Sequence, residues 1–198
     1  MRMIAALALA VLLAPAVLAL PGEVIVEKDS GEEFPASITM NDPQGAEPVQ
    51  LRATGTGLRK KAWFKVYAAC FYVRKDAEIA ADPYADFIDG DFEKVIVMRF
   101  LRDVGADKIE GAFREGIRKT LPEGHDEAVD AFVGLFTSPV QKGQELILRY
   151  APGGGLSAEQ GGKPLGGVED PDVIAAVWAT WFGDDPISKD LKQGLAGL

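Results

Sequence analysis

Cysteine and histidine are almost absent from this 198-residue chain, which contains one of each, Cys70 and His125. A single cysteine cannot form an intramolecular disulfide, so sulfur has no part in a covalent framework. One histidine and one distant cysteine offer none of the spacings typical of zinc ligands, and the aspartates do not follow the calcium-loop pattern. We therefore expect no metal ion and no cofactor. Cys70 lies between Ala69 and Phe71 and is interpreted as a small buried hydrophobic residue.

Positive charge is also scarce. The chain has 21 lysines and arginines against 30 aspartates and glutamates, for a net charge of −9. A nucleic-acid-binding protein is expected to carry a basic footprint, so this composition argues against nucleic acid as a partner. An excess of surface acid is typical of a protein kept soluble by its charge.

Two common catalytic motifs are missing as well. None of the serines lies in the Gly-x-Ser-x-Gly pattern of many hydrolases, and a serine triad would have to use His125. The Gly55-Thr56-Gly57 segment lacks the further glycine of a dinucleotide-binding fingerprint and precedes a predicted strand, whereas that fingerprint opens a helix. The sequence therefore argues against ordinary hydrolase and nucleotide sites.

The one long apolar run occupies residues 3–20, preceded by Arg2 and followed by Pro21 and Gly22. A basic start, an apolar core and small residues near the end are typical of a cleavable signal peptide, with cleavage after Ala19 or Ala16. A membrane anchor is the alternative, because about 18 apolar residues can just span a bilayer. Pro15 and the small residues favour cleavage. We predict a signal peptide at residues 1–19, a single domain at 20–198, a periplasmic or secreted location, and no stable membrane span after cleavage.

Periodicity predicts an α+β domain. Alternating or continuously apolar segments predict strands near residues 34–40, 55–73, 92–101 and 145–150. Apolar residues at helical spacing predict helices near 109–121, 126–136, 171–182 and 189–195. Asp170 is a suitable N-cap with Pro171 in the first helical position. The order of strands, helices, strands and helices indicates helices gathered on one antiparallel sheet.

Three polar residues stand out on apolar elements. Arg59 begins the apolar part of the predicted strand at residues 55–73, Tyr67 lies at its midpoint, and Thr180 lies on the helix near 171–182. Each has a structural interpretation: Arg59 pairs with surface acid, Tyr67 is a buried tyrosine with a satisfied hydroxyl, and Thr180 hydrogen-bonds to its own helix. The functional interpretation is a polar anchor in an apolar cleft.

Three segments carry a resemblance to a known family. Gly55-Thr56-Gly57-Leu58-Arg59, followed by the run Phe64 to Val73, resembles the opening motif of the chalcone isomerase superfamily. Phe100-Leu101-Arg102-Asp103-Val104 is similar to a strand-end motif of its bacterial chalcone isomerase-like branch, which is periplasmic. The segment Thr180 to Lys192 resembles the family's C-terminal Thr-x-x-Gly-x-x-x-Ser-x-x-Leu-Lys helix pair. The likeness extends, with gaps, over residues 55–197.

The resemblance implies an open-faced β-sandwich, in which a helical layer covers a large antiparallel sheet and a ligand cleft lies between them. Plant enzymes of the superfamily close a flavanone ring, and their catalytic arginine and a cleft threonine match Arg59 and Thr180. A strand threonine of those enzymes falls at Tyr67. Their helical tyrosine and asparagine, seven residues apart, fall at Lys108 and Glu115. Losing a positioned donor lowers rates on the order of a hundredfold or more, so these replacements argue against ring closure.

The leading hypothesis is a non-catalytic, monomeric protein that binds a small amphipathic carboxylate, such as a fatty acid. Fatty-acid-binding members of the superfamily hold the carboxylate with an arginine and a tyrosine, which implies ligand contacts from Arg59 and Tyr67, with Thr180, Lys108 and Glu115 in the same cleft. The alternative is an isomerase of the intramolecular lyase type, acting on an enone or flavonoid-like substrate through Arg59, Tyr67 and Thr180. A third hypothesis is a structural or partner-binding envelope protein with a filled core.

Overall fold

The computed structural model describes residues 22–41, 47–121 and 123–198, so the predicted signal peptide at 1–19 lies outside the described residues. These ranges contain nine strands and five helices. The strands are β1 (Val24–Val26), β2 (Glu33–Pro35), β3 (Ser37–Met40), β4 (Val49–Lys61), β5 (Phe64–Arg74), β6 (Lys94–Phe100), β7 (Glu145–Ala151), β8 (Gly155–Gln160) and β9 (Lys163–Val168). The helices are α1 (Tyr84–Asp89), α2 (Ala106–Arg118), α3 (Asp126–Val133), α4 (Pro171–Phe182) and α5 (Lys189–Ala196).

Strands β3 to β9 form one antiparallel sheet of seven strands, in which each strand pairs with the next along the chain. Strands β1 and β2 form a separate hairpin. The sheet and its helices confirm the predicted α+β architecture. Because every connection in the sheet joins neighbours, helices α1, α2 and α3 arise as insertions after β5 and β6 and return to cover the sheet.

Strand β5 lies inside the sheet and is buried on both faces. Its residues Tyr67, Ala69, Phe71 and Val73 pack against the helices. The alternate residues Ala68, Cys70 and Tyr72 form a smaller core on the opposite face with Phe34, Leu51, Leu58 and Val95. The double burial was expected from two apolar faces. Cys70 is fully buried, as predicted, and burial raises the pKa of its thiol to about 12.

The C-terminal helices begin where the sequence indicates. The Asp170 carboxylate accepts hydrogen bonds from the backbone N–H groups of Asp172 and Val173, at 3.0 and 3.2 Å, and Pro171 opens α4. The Ser188 hydroxyl oxygen caps α5 by accepting from Leu191 N at 3.3 Å. Both caps satisfy N–H groups that a helix leaves free at its start.

None of the helices in the described part of the chain has the length and apolar character needed to cross a bilayer.

The predicted long strand at residues 55–73 is wrong in one respect, because it is two strands of a hairpin. Strands β4 and β5 pair antiparallel and are joined by a tight turn at Ala62 and Trp63. Ala62 adopts a φ of 54°, a left-handed conformation that glycine, asparagine or aspartate usually occupies in such turns. The sequence shows none of these residues there, so nothing in it marks the turn.

The expectation that the Gly55-Thr56-Gly57 segment precedes a strand is also wrong. It lies within β4, where α5 packs directly across the backbone. A Cβ atom at Gly55 would collide with the Gly194 carbonyl oxygen, and one at Gly57 would approach the Leu191 side chain to 2.8 Å. The glycines therefore allow a helix to approach a strand closely. The Thr54 hydroxyl donates to Leu195 O at 2.6 Å and reinforces this contact.

Candidate functional site

A cavity of about 430 Å³ lies between the sheet and helices α2 and α4. Its buried wall is apolar and comes from four elements. Met98, Phe100 and Leu146 project from β6 and β7, Ile109 and Phe113 from α2, and Trp181 from α4. The volume falls within the range of roughly 300–1,000 Å³ typical of small-molecule sites. An apolar cavity of this kind is suited to a hydrocarbon or aromatic group.

Arg59 is half-buried on β4 and lines the cavity. Its cross-strand partner in the sheet is Tyr67 on β5, so the two side chains arise side by side from neighbouring strands. Its guanidinium donates to the Lys60 carbonyl oxygen, and no described carboxylate lies within 4.0 Å of it. The predicted alternative, a surface ion pair for Arg59, is thus not observed among the described residues. Most of its donors remain available to a ligand.

Tyr67 lines the same cavity and is only 7% exposed. Its hydroxyl oxygen accepts a hydrogen bond from Trp181 Nε1 at 3.1 Å, and none of the described residues accepts the hydroxyl proton. Burial raises the pKa of Tyr67 to about 12, while the indole donor and the Arg59 charge act in the opposite direction. At neutral pH Tyr67 is therefore a hydrogen-bond donor and not a base.

Thr180 also lines the cavity but is buried and engaged with its own helix. Its hydroxyl donates to Ala176 O at 3.3 Å, which is the structural interpretation offered by the sequence. Helix α2 packs closely at this point, because a Cβ atom at Gly116 would lie only 2.6 Å from Thr180 Oγ1. The Thr180 hydroxyl proton is used in the bond to Ala176 O, so Thr180 can offer a ligand only its oxygen, as a hydrogen-bond acceptor. Its position in the cavity and its back-bonding are both observed.

Lys108 and Glu115 are exposed residues of α2 at the rim of the cavity. They lie two turns apart on one helix face, as the spacing of seven residues predicts. Lys108 pairs with the neighbouring Asp107 at 3.3 Å. Lys119 also lines the rim and pairs with Asp185 at 2.8 Å. The structure thus brings all five predicted site residues to one cavity, with Arg59, Tyr67 and Thr180 on its inner side and Lys108 and Glu115 at the rim.

Several lining residues are absent from the set predicted by sequence. Phe64, Phe113 and Trp181 line the cavity, whereas the buried residues Phe71 and Ile117 belong to the core and do not line it. Met98 and Phe100 share the helix-facing side of β6, which strand alternation alone would have indicated. Arg102 follows that strand, and its guanidinium carbon lies 4.7 Å from the Phe64 ring centroid. No sequence pattern links Arg102 to Phe64, since the contact depends on the fold.

His125 approaches two carboxylates that the sequence does not connect with it. His125 Nδ1 lies 3.0 Å from Asp170 Oδ2, and Nε2 lies 3.5 Å from Asp172 Oδ2. These three residues could hold a metal ion by distance. Both ring nitrogens already face carboxylates, however, and the hydrogen bond to Asp170 raises the pKa of His125. The contacts of His125 with the two aspartates tie the start of α3 to the start of α4.

The cavity can therefore bind an anion at one side and apolar groups along its wall. Arg59 supplies a charged donor with fork geometry, and Tyr67 supplies a neutral donor whose orientation Trp181 restricts. A carboxylate would satisfy both donors. The same pair could stabilise an oxygen that becomes negative during a reaction.

Comparison with known proteins gives consistent results. The sequence profile of the family described as chalcone isomerase-like matches residues 30–197. Fatty-acid-binding protein 2 of Arabidopsis thaliana is 28% identical over 85% of this chain and 49% of its own length, so the chain spans about half of that relative. The crystal structure of the Arabidopsis thaliana fatty-acid-binding protein AtFAP1 superposes with a TM-score of 0.72. That match covers 88% of this chain and 96% of the other, at 22% identity, and shows a shared fold.

The agreement extends over the sheet, the helical layer and the C-terminal helix pair, and the family match covers nearly all of the described residues. The chain belongs to the chalcone isomerase-like family.

Proposed function

We propose that this chain is a non-catalytic binding protein for a small amphipathic carboxylate, most simply a fatty acid. The observation that carries the proposal is the Arg59 and Tyr67 pair beside the apolar cavity. Among the described residues, no carboxylate pairs with the arginine and none accepts the tyrosine proton. The names of the two Arabidopsis proteins support the same ligand class.

The division of the cavity fits an amphipathic ligand. The polar head would contact Arg59 and Tyr67, while the tail would lie against Met98, Phe113 and Leu146. Each methylene removed from water contributes about 0.8 kcal/mol. Affinity should therefore rise about fourfold per added methylene until the tail fills the cavity.

Calorimetric titration with a series of saturated fatty acids tests the site. Arg59→Ala should weaken binding by at least about tenfold, because a hydrogen bond to a charged group contributes roughly 1.5–3 kcal/mol. Arg74→Ala is the matched control, since Arg74 lies at the far end of β5 and pairs with Asp76 at the surface. Equal affinity of the wild type and Arg59→Ala would exclude this anchor.

A second candidate function is an isomerase of the intramolecular lyase type. It is favoured by the same two donors, which line the same cavity as Thr180 and would stabilise charge on an enone oxygen. Turnover of an enone or chalcone by the purified protein, lost in Arg59→Ala, would establish catalysis. The absence of turnover with intact fatty-acid binding would favour the first function.

We further propose that the protein is exported and belongs to the bacterial periplasmic branch of the family. The support is the signal-like segment at residues 1–19 and the Phe100 to Val104 motif. Intact-mass measurement of the protein isolated from its host tests the export step. A mature N-terminus at Leu20 or Val17 is expected, and retention of residues 1–19 would contradict cleavage.

A further inference from the structure

The turn between β4 and β5 exposes two aromatic side chains next to the cavity. Trp63 is 81% exposed and Phe64 is 47% exposed, and their ring centroids lie 5.3 Å apart. Trp63 is the most exposed large hydrophobic residue in the described part of the chain. Its presentation depends on Ala62, which holds a positive φ of 54°. An exposed aromatic pair on a strained turn indicates an interaction surface.

The charge around this turn is opposite to that of the whole protein. Residues 51–75 include no aspartate or glutamate, in a chain with a net charge of −9. Lys60, Lys61 and Lys65 flank the aromatic pair, and Arg102 lies against Phe64. Asp29 lies nearby, and it pairs with Lys60 at 2.7 Å and accepts from Lys65 through its carbonyl. This surface is therefore locally cationic. We call it the aromatic tip, and it consists of Trp63 and Phe64 with their basic neighbours Lys60, Lys61, Lys65 and Arg102.

The aromatic tip is also part of the cavity entrance. Lys61, Phe64 and Arg102 all line the cavity while lying on or against the tip. Any surface that bound the aromatic tip would therefore lie next to the opening of the apolar cavity. This continuity relates the tip to the ligand that the cavity would take.

We propose that the aromatic tip docks onto a bilayer containing anionic lipids, which brings the cavity mouth to the membrane surface for exchange of a carboxylate-bearing lipid. The exchange role rests on the proposed function, whereas the docking does not. Tryptophan favours the membrane interface, and basic residues are attracted to anionic headgroups. A bilayer suits this tip better than a protein partner, because a stable protein interface needs about 800 Å² from each side and the tip offers two aromatic rings.

Tryptophan fluorescence with brominated lipids tests the docking on the full chain. Trp178 and Trp181 are 0% and 2% exposed, so a lipid-dependent change in emission reports Trp63. Vesicles of brominated phosphatidylcholine with phosphatidylglycerol should quench emission, vesicles without phosphatidylglycerol should quench it much less, and Trp63→Ser should remove the effect. Residual quenching in Trp63→Ser would report lipid at Trp181 in the cavity instead.

The double variant Lys60→Gln/Lys65→Gln tests the charge and keeps the tryptophan. Each basic residue near an anionic surface contributes about fivefold to partitioning, so the double variant should partition at least about tenfold less. Arg74→Gln/Lys75→Gln is the matched control, because it removes the same charge at the opposite end of β5. Equal partitioning of the two double variants would overturn the proposal, as would quenching independent of phosphatidylglycerol.

Two further measurements separate the remaining explanations. A fluorescent fatty acid, titrated without vesicles, should bind the wild type and Lys60→Gln/Lys65→Gln equally. If it binds neither protein, the proposed function fails while partitioning still tests the docking. If it binds both but neither protein partitions, only the docking is wrong. Self-association that requires Trp63, detected by sedimentation without lipid, would assign the tip to a second copy of the chain and overturn the membrane proposal.

Discussion

Arg59 and Tyr67 derive their pairing from the register of one hairpin. The two residues are cross-strand partners, which places a charged donor beside a buried neutral donor at one side of the cavity. Trp181 on helix α4 donates its indole N–H to the Tyr67 oxygen. Because the indole occupies one lone pair of the Tyr67 oxygen, the Tyr67 proton is directed toward other acceptors. A ligand oxygen in the cavity would be such an acceptor.

Replacing Tyr67 with phenylalanine tests the contribution of its hydroxyl group alone. Tyr67→Phe should lower affinity for a fatty acid by roughly threefold to tenfold, since it removes one hydrogen bond and keeps the ring. Tyr72→Phe is the control, because the Tyr72 hydroxyl donates to Pro35 O at 2.9 Å on the opposite face of the sheet. Calorimetry should show altered affinity only in Tyr67→Phe. Equal affinities would place the head group elsewhere.

Lys94 is a buried charge whose effect depends on pH. It is 1% exposed and donates to Ile88 O and Gly90 O, both at 3.0 Å. Burial lowers the pKa of Lys94 to about 8, while nearby aspartates act in the opposite direction. Between pH 8 and the ordinary lysine value, the unfolded chain binds more protons than the folded one. The contribution of Lys94 to stability therefore rises with pH through this range.

Denaturant unfolding of the wild type and Lys94→Met measures this effect. The free energy of unfolding of the wild type, relative to the variant, should increase between pH 8 and pH 10.5 by on the order of 3 kcal/mol. Taking the difference removes the contributions of other groups that titrate at high pH. The exposed Lys75→Met should show no such trend. A difference that stays constant with pH would mean that Lys94 keeps its ordinary pKa.

At the scale of elements, close backbone contact holds α5 against β4. Gly194 of α5 faces the Thr56 carbonyl oxygen, and a Cβ atom there would lie 2.5 Å from it. Neither backbone can move easily, because β4 is paired on both sides and α5 is fixed by its Ser188 cap. The helix is thus positioned by this close backbone approach together with Leu191 and Leu195, which are fully buried in the core.

Two glycine-to-alanine substitutions separate this contact from helix propensity. Gly194→Ala should lower the free energy of unfolding by about 1–3 kcal/mol, as overpacking does. Gly111→Ala on α2 should raise it by about 0.5–1 kcal/mol, because Gly111 is exposed and its Cβ would meet nothing within 4 Å. Chemical denaturation gives both values. Stabilisation by Gly194→Ala would show that α5 can shift away from the sheet.

At the scale of the whole molecule, ligand binding should couple to stability. A ligand that binds only the folded state stabilises it by about 2.7 kcal/mol at a concentration 100 times its dissociation constant. A fatty acid should therefore raise the melting temperature, and its methyl ester should raise it much less, since the ester lacks the charge that Arg59 would contact. Equal shifts from acid and ester would indicate binding by the apolar wall alone.

Much of the architecture could be predicted from local sequence. The apolar alternation of β6 and β7, the helical spacing of α2, and the caps at Asp170 and Ser188 are visible along the chain and appear in the structure. The turn at Ala62 could not be predicted, because its residues have no turn preference and the strand pattern continues across it. Predicting one strand in place of two also hid the pairing of Arg59 with Tyr67.

The sequence by itself determined the fold class and the acidic charge and predicted the five residues of the candidate site, because periodicity, composition and family motifs depend on short stretches of chain. Only the tertiary structure decided that these residues surround one cavity, that Trp181 contacts Tyr67, and that Arg102 lies against Phe64. The physical reason is that each contact joins residues from different elements. Their distances depend on strand register and helix packing, which local patterns do not specify.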